Sequence, residues 1–543
     1  MIKSLENIIH GIGSIRMSAL SIGAGIGLSL LTLLAPNARA DTHYVSTNGL
    51  HQAPYTLPEN AATNIQSAVD VAEDGDKVQI SDGAYYVAPT NGITWNASSP
   101  AKHITIASEN GAQNCIIDCQ SKGRGFTFDS GQTTNDAIEG LTITNGYSMW
   151  TRTGDSSKLW GGGGIFVSNS SPRISSCTIT HCTAKKSPYS SFYADGGGIA
   201  MIGGSPIIEN CVIENNTGTH TGGGIHVENS SPDIKNNYIA YNYNQGCYGG
   251  GGISFITSTG GKVTGNLIVH NLAHYYTTKG GFGGGILTMN SNPTIENNTI
   301  AYNDTTLPSG DPVLGEGGGI RIRGLPTPVM NNNMFYGNIA TNGLEDLDIQ
   351  YPSYTIDLNN SLIGSGSTNF ICPDRESNLW NTDPLFVDSP NGDYHLSGSS
   401  PCIDSGTNLE NIVSDMESVP IPLDGNNDGI ARADMGCYEF VHPTADTDAD
   451  RMKDADEIKA GTSPTNGIDY FNIDNVYSAD ENSETISWNS KFGKNYTVQR
   501  TDNLVQGSWS NIADYINVPG TGDTMSYSNN SPSAVGFYRV SVK

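Results

Sequence analysis

The chain has 543 residues, 36% of them hydrophobic and 15% charged, with 65 glycines and 25 prolines. So small an apolar share excludes a polytopic membrane protein, and so few charges exclude a coiled coil or long helical rods. Lys and Arg number 27 against 54 Asp and Glu, a net charge of −27. Phosphate binding needs a basic face, so the balance argues against nucleic acid and in favour of divalent cations as partners.

Residues 1–40 read as an export signal. Lys3 and Arg16 flank a polar lead-in, an apolar run spans Met17 to Ala35, and Ala38-Arg39-Ala40 is a small-x-small cleavage site that leaves Asp41 as the mature start. The alternative is a retained membrane anchor, because the run is long for a signal. On the cleaved reading the mature chain has no membrane span and is exported, to the cell surface or beyond. All nine cysteines then lie in a compartment that permits disulfides. Their number is odd, so at least one thiol stays free or pairs between chains. The cysteine and histidine spacings predict no zinc site.

Next come a short strand at Tyr44-Val45-Ser46 and one helical stretch from Ile65 to Ala72. Val78 to Ile80, Ile104 to Ala107 and Ile116-Ile117 read as further short strands. A helix placed here covers the open end of whatever the strands build, protecting an exposed edge.

From residue 161 a repeat sets in. A glycine run followed by isoleucine ends at Ile165, Ile199, Ile225, Ile253, Ile286 and Ile320, at spacings of 34, 26, 28, 33 and 34 residues. A second landmark follows at Cys177, Cys211, Asn237, Asn266, Asn298 and Asn333, and a third at Cys182, Asn216, Asn242, Asn271, Asn303 and Asn338. The interval from isoleucine to third landmark is always 17 or 18 residues. All length variation falls before the next glycine run. A constant stretch must stack in register on its neighbours, whereas a variable one bulges outward as a loop. Inside the constant stretch the residues alternate with period two, as in Ile-Phe-Val-Ser at 165–168, between Pro, Gly and Asn turns. The pattern predicts an all-β chain, a parallel β-solenoid with inward Ile and Val and an Asn side-chain ladder. A flexible linker would not keep the interval six times.

Ile65-Gln66-Ser67-Ala68-Val69, Asp74-Gly75-Asp76, the GGGI runs and the SPxIxxC/N units together resemble the right-handed parallel β-helix superfamily of pectate-lyase-like proteins, over residues 41–440. The GGGI-plus-Asn unit is also similar to polymorphic outer-membrane protein repeats. The resemblance implies the fold: a helix over 41–382 and a terminal cap over 383–440. It implies no single activity, because such proteins include lyases, hydrolases, epimerases and adhesins. Asp383-Pro-Leu-Phe386, Ser400-Pro-Cys402-Ile-Asp-Ser-Gly406 and Asp434-Met-Gly-Cys437-Tyr-Glu-Phe440 resemble the choice-of-anchor cap of secreted bacterial β-helix proteins. That likeness implies a bond between Cys402 and Cys437. Cys177 and Cys211 hold one repeat position a coil apart, near the Cα separation a disulfide accepts, so they form either a second bond or a stacked pair of thiols.

Within residues 441–467, Asp446, Asp448, Asp450, Asp454 and Glu457 fall at positions 1, 3, 5, 9 and 12 of a loop, with the Met452 carbonyl at position 7. That is EF-hand calcium spacing, and five acids so close would repel one another without a cation. The segment resembles the thrombospondin-type and dockerin-like DxDxDGxxDxxE loops, with Arg451 where the pattern wants Gly. Asp424, Asn426 and Asp428 form a second, poorer set. Residues 468–543 carry alternating strands such as Ile486-Ser-Trp488 and Phe537-Tyr-Arg-Val540, which predict a small β-sandwich of the fibronectin type III kind.

Chemistry on the solenoid is expected along its loop rim. Trp160, Asp195, Thr221, Tyr248, Phe282 and Glu316 precede the glycine runs, and the loops add Tyr193, His220, His274, Tyr275 and Lys279. If the isoleucines point inward, the glycine-led strands turn His226, Glu228, Arg321 and Arg323 outward. Aromatic faces with Lys, Arg and His along a groove suit a polysaccharide, acidic or neutral. His226 with Glu228 and Arg321 with Arg323 stand three coils apart, about 14 Å at strand spacing, too far for one reacting centre. Catalytic residues are therefore not assigned. Three readings follow: a polysaccharide-binding surface protein, a polysaccharide lyase or related enzyme on the same groove, or a structural adhesive protein.

Overall fold

The computed structural model describes residues 40–87, 92–97, 102–149, 161–185, 195–246, 248–275, 279–306, 315–341, 343–366, 370–480, 483–505, 508–529 and 536–543. The export segment lies outside them.

One rung shows how the repeat winds. Ile199–Ile202, Ile207–Glu209, Val212–Glu214 and Thr217–Gly218 are four short strands. The corners around them are Gly196, Gly203, Asn210 and Asn215, with φ of 66°, 76°, 54° and 55°. The left-handed region is open to Gly and tolerated by Asn, which hold most of these corners, while Ser176, His181, Tyr241, Thr257, His270 and Tyr302 take the same φ in other units. The glycine run has a second cause. A Cβ on Gly223 would sit 2.4 Å from the carbonyl oxygen of Gly251 on the next rung, so the stacked backbones leave no room for one.

Successive rungs pair in parallel. An eight-stranded sheet carries the glycine-led strands, two eleven-stranded sheets carry the next two strands of each rung, and a six-stranded sheet carries the last. Ile165, Ile199, Ile225, Ile253, Ile286 and Ile320 are direct register partners in sequence. They are fully buried, as are Ile174, Ile208 and Ile234 on the second side and Ile179, Ile213 and Ile239 on the third. Each such side chain stabilises the stack by about 1.5–3 kcal/mol.

Two asparagine ladders run inside the corners. Cys182 donates its backbone N–H to Asn216 Oδ1, and each following asparagine donates its N–H and its Nδ2 to the next Oδ1, through Asn242, Asn271 and Asn303 to Asn338. Asp346 Oδ1 terminates this ladder and accepts both bonds from Asn338. The second ladder runs from Cys211 through Asn237, Asn266 and Asn298 to Asn333 and then Ser361. Every asparagine amide of these two ladders is hydrogen-bonded, to the next ladder residue or to a backbone carbonyl, so the stack accepts no slip of a single rung.

Helix α1 (Ile65–Val71), capped by Asn64, buries Ile65, Ala68 and Val69 against the first strands. At the other end, residues 386–440 fold back along the flank of the helix. Tyr394 and Cys437 pack on Ala240, Leu267, Val269 and Ala301, and Cys402 and Met435 pack on Met334 and Leu362. The expected Cys402–Cys437 bond is absent: both are free thiols, because each enters a different one of these apolar clusters. Cys177 and Cys211 are also free and stacked, the Cys177 N–H donating to Cys211 Sγ at 3.4 Å. Helix α2 (Asp454–Ala460) follows the acidic loop. The last residues form a three-stranded and a four-stranded antiparallel sheet around Ile486, Trp488, Tyr496 and Val498. Among the described residues no helix is long and apolar enough to cross a membrane.

Candidate functional site

The outer face of the eight-stranded sheet is set by register. Alternation turns Phe166, Ala200, His226, Ser254, Leu287, Arg321 and Asp348 outward in one column, each the partner of the next. Ser168, Ile202, Glu228, Ile256, Met289 and Arg323 form the column beside it. His226 and Arg321 are three rungs apart, as the repeat required.

One end of this face holds a connected polar cluster. Asp195 Oδ1 accepts from His220 Nδ1 at 2.6 Å and from the Thr221 hydroxyl at 2.7 Å. Thr221 Oγ1 also meets His226 Nδ1 at 2.8 Å, and Ser254 Oγ lies 3.0 Å from the same nitrogen. His226 Nε2 lies 3.9 Å from Asp195 Oδ2 and 3.6 Å from Glu228 Oε2. Burial would raise the Asp195 carboxyl, but the pull of His226 and the hydrogen bonds of His220 and Thr221 outweigh it and hold the group below its ordinary value. His226 is 2% exposed, whereas the Glu228 side chain is 37% exposed and marks the way in.

The other end is built on arginine. Arg321 pairs with Glu316 Oε2 at 2.7 Å and with Asp348, and it is 7% exposed. Burial lowers its pKa against the opposing pull of Glu316. Arg323 stacks on the Phe282 ring at 4.8 Å. Glu316 is fixed by the Phe282–Glu316 bridge, and Glu345 accepts the Gly317 N–H nearby.

Of the residues expected along the rim, the structure brings Asp195, His220, His226 and Glu228 together at one end of this face and Glu316, Arg321 and Arg323 together at the other. Tyr248 is one residue off the rim column: in that four-glycine run Gly249 pairs with Thr221, and Tyr248 instead meets His220 edge-on at 5.0 Å. His274 is not on this face. It lies in the six-stranded sheet, buried edge-on against Tyr243, and burial lowers its pKa against the pull of Asp304. Trp160 and Tyr193 fall outside the described residues, and so do the side chains of Tyr275 and Lys279. Ser254 and Asp348 join the site without being expected in it. Stepping one rung from His226 and from Arg321 finds both, but Asp348 stands in a rung with no glycine run to mark it.

The acidic loop is a separate centre. Asp446, Asp448 and Asp450 bring carboxylate oxygens within 4.8 Å of one another. Asp448 Oδ2, Asp450 Oδ2 and both oxygens of Glu457 are buried without a hydrogen-bond partner. Burial, reinforced by Asp448, Asp450, Asp454 and Asp446, pushes the Glu457 carboxyl up to about 8. Arg451 takes φ of 85°, so the turn expected of glycine forms around arginine. Asp454 accepts the Thr447 N–H and hydroxyl on its two oxygens, and Thr447 Oγ1 in turn accepts the Asp424 N–H. The Asp424 carboxylate closes its own turn on the N–H groups of Asp428 and Gly429. Unpartnered, converging oxygens fit a hard cation.

Fold and register define a β-solenoid whose polar side chains gather on one outer sheet face. The model of the right-handed β-helix region matches residues 64–281 and 164–408, and the chain belongs to that family. Among solved structures it is similar to pectate lyase Pel9A, at 17% identity over 74% of this chain and 96% of the other, with a TM-score of 0.43. It is also similar to pectin methylesterase from carrot, at 11% identity over 63% and 89%, TM-score 0.29. A mannuronic acid specific polysaccharide family 6 lyase from human gut microbiota gives 14% identity over 56% and 87%, TM-score 0.19. No curated protein matches the sequence.

Proposed function

We propose that the chain is an exported carbohydrate-binding β-helix protein that lays a polysaccharide along the outer face of the eight-stranded sheet. The observation behind this reading is the register that aligns Glu228, through the partly exposed Ile256 and Met289, with the Phe282–Arg323 stack about 14 Å away at strand spacing. Sugar rings dock on aromatic faces, and scattered polar groups fix their hydroxyls. The charge pattern favours a neutral polysaccharide over a polyuronate. Arg321 is already neutralised by Glu316 and Asp348, and the chain as a whole carries −27. A polyuronate lyase would need cations for the substrate carboxylates, and that pairing leaves Arg323 but not Arg321 to supply one.

Affinity electrophoresis against neutral polysaccharides and polyuronates tests the reading. Retardation by a neutral polymer is expected, weakened about tenfold by Arg323→Ala through loss of a charge-assisted contact. Retardation by none overturns it. Release of unsaturated ends from a polyuronate, lost in His226→Ala, would establish the lyase instead.

For the acidic loop the reading is calcium, held by Asp446, Asp448, Asp450, Glu457 and the Met452 carbonyl, with Asp454 bracing Thr447. Bound calcium would neutralise the carboxylates and fix the loop between the cap and the C-terminal sheets. Calcium at a hundred times its dissociation constant should stabilise the protein by about 2.7 kcal/mol. A melting curve unchanged by chelator, or raised equally by calcium in Glu457→Gln, would contradict the assignment.

A further inference from the structure

The cluster at Asp195 has a feature that glycan binding does not use. The Thr221 hydroxyl has one proton, and Asp195 Oδ1, an ionised acceptor 2.7 Å away, takes it. Thr221 Oγ1 can then only accept from His226 Nδ1, 2.8 Å away. In a neutral His226 that fixes the imidazole proton on Nδ1. Nε2 is left with a lone pair and no hydrogen-bond partner, in a side chain 2% exposed. It faces Asp195 Oδ2 at 3.9 Å and Glu228 Oε2 at 3.6 Å. Three electron-rich atoms directed at one another repel unless a proton or a metal ion lies between them. Both separations exceed a good N–H···O bond. They suit a metal ion: zinc sits about 2.0–2.2 Å from such nitrogen and oxygen ligands, which places tetrahedral ligands about 3.4 Å apart.

We propose that His226 Nε2, Asp195 Oδ2 and Glu228 Oε2 form a site for a divalent first-row transition ion of the zinc class. The supporting groups have the arrangement such ligands require. His226 is oriented through Nδ1 by Thr221 and Ser254, and Asp195 is held through its second oxygen by His220 and Thr221. An imidazole with two carboxylates is a nitrogen–oxygen set without thiolate, unlike the all-oxygen loop at Asp446. Three protein ligands leave a coordination position open, and the half-buried Glu228 places that opening toward solvent. The site stands whether or not a polysaccharide binds the same face. It also reverses the expectation of no zinc: the ligands lie in two different rungs, so linear spacing does not display them.

The test uses zinc alone on the full mature chain, stripped with chelator, in a Glu457→Gln background that disables the acidic loop. Calorimetry should show one equivalent bound. Glu228→Gln, at a half-exposed position, and His226→Ala should each lose about 100-fold or more in affinity. Thr221→Val, acting through its neighbours, should lose about tenfold. Melting curves without metal establish that the variants fold; if His226→Ala does not, Glu228→Gln decides. Absence of zinc binding, as for a protonated His226 simply paired with two carboxylates, overturns the proposal. So does zinc binding that Glu228→Gln leaves unchanged.

Discussion

Thr288 is the single hydroxyl among the inward residues Val167, Met201, Val227, Phe255, Thr288, Ile322 and Ile349 of the eight-stranded sheet. It is 1% exposed and its Oγ1 has no hydrogen-bond partner. A buried, unmade hydroxyl bond costs about 1–3 kcal/mol, so Thr288→Val, near in shape, should raise stability by about 1 kcal/mol in a urea melt. A loss of stability would mean that the hydroxyl is satisfied. Asn271 is the opposite case. Its Oδ1 accepts from Asn242 N and Nδ2, and its own Nδ2 donates to the Ile239 carbonyl and to Asn303. Asn271→Ala strips partners from several fully buried groups at once and should cost about 3 kcal/mol or more. A cost below about 1 kcal/mol would show that the ladder does not hold the rungs.

Among the elements, the loop before helix α2 and the flank segment each carry a separate consequence. Arg451 holds a left-handed φ that favours glycine by roughly 1 kcal/mol. Arg451→Gly should therefore tighten calcium about fivefold in a fluorescence or calorimetric titration; weaker binding would show that arginine supplies a contact outweighing the backbone cost. The flank segment is organised by buried carboxylates. Glu439 accepts the Leu423 and Asp434 N–H groups, Asp434 those of Asp404 and Phe440, and Asp415 those of Glu417, Val419 and Glu439. Burial, with Asp404 and Asp415 adding like charge, pushes Asp434 up to about 8. A folded-state value above the unfolded one means that its stabilisation is complete below pH ~4 and is lost as pH rises through about 8. The melting midpoint should fall across that window and fall less in Asp434→Asn; an equal fall in both would place the titration elsewhere.

For the whole molecule, the nearly constant isoleucine-to-asparagine interval of 17 or 18 residues was enough to read the stacking, because the asparagines of each rung must meet those of the next in the buried ladders. Helix α1 was equally legible as the one helical stretch ahead of the repeat. What escaped was set by contacts between distant segments. The segment after Asp383 follows the flank because sheet residues such as Ala240 and Leu267 offer it an apolar surface, and no local pattern reports that. Counting back from isoleucine over four glycines put Tyr248 in a column that Gly249 occupies. The Asp195–His226–Glu228 cluster joins two rungs, and only register shows that Asp195 closes on the pair in the next strand. The rim and the proposed glycan and metal sites all depend on that register. Spin labels at Ser168→Cys and Arg323→Cys, with Cys247 and Cys372 replaced by serine, measure it directly by pulsed electron resonance. Stacking through Ile202, Glu228, Ile256 and Met289 places the labelled backbones five rungs apart, about 24 Å at strand spacing, in one narrow population. A distance displaced by a rung or more, about 5 Å, or a broad distribution, would contradict the account.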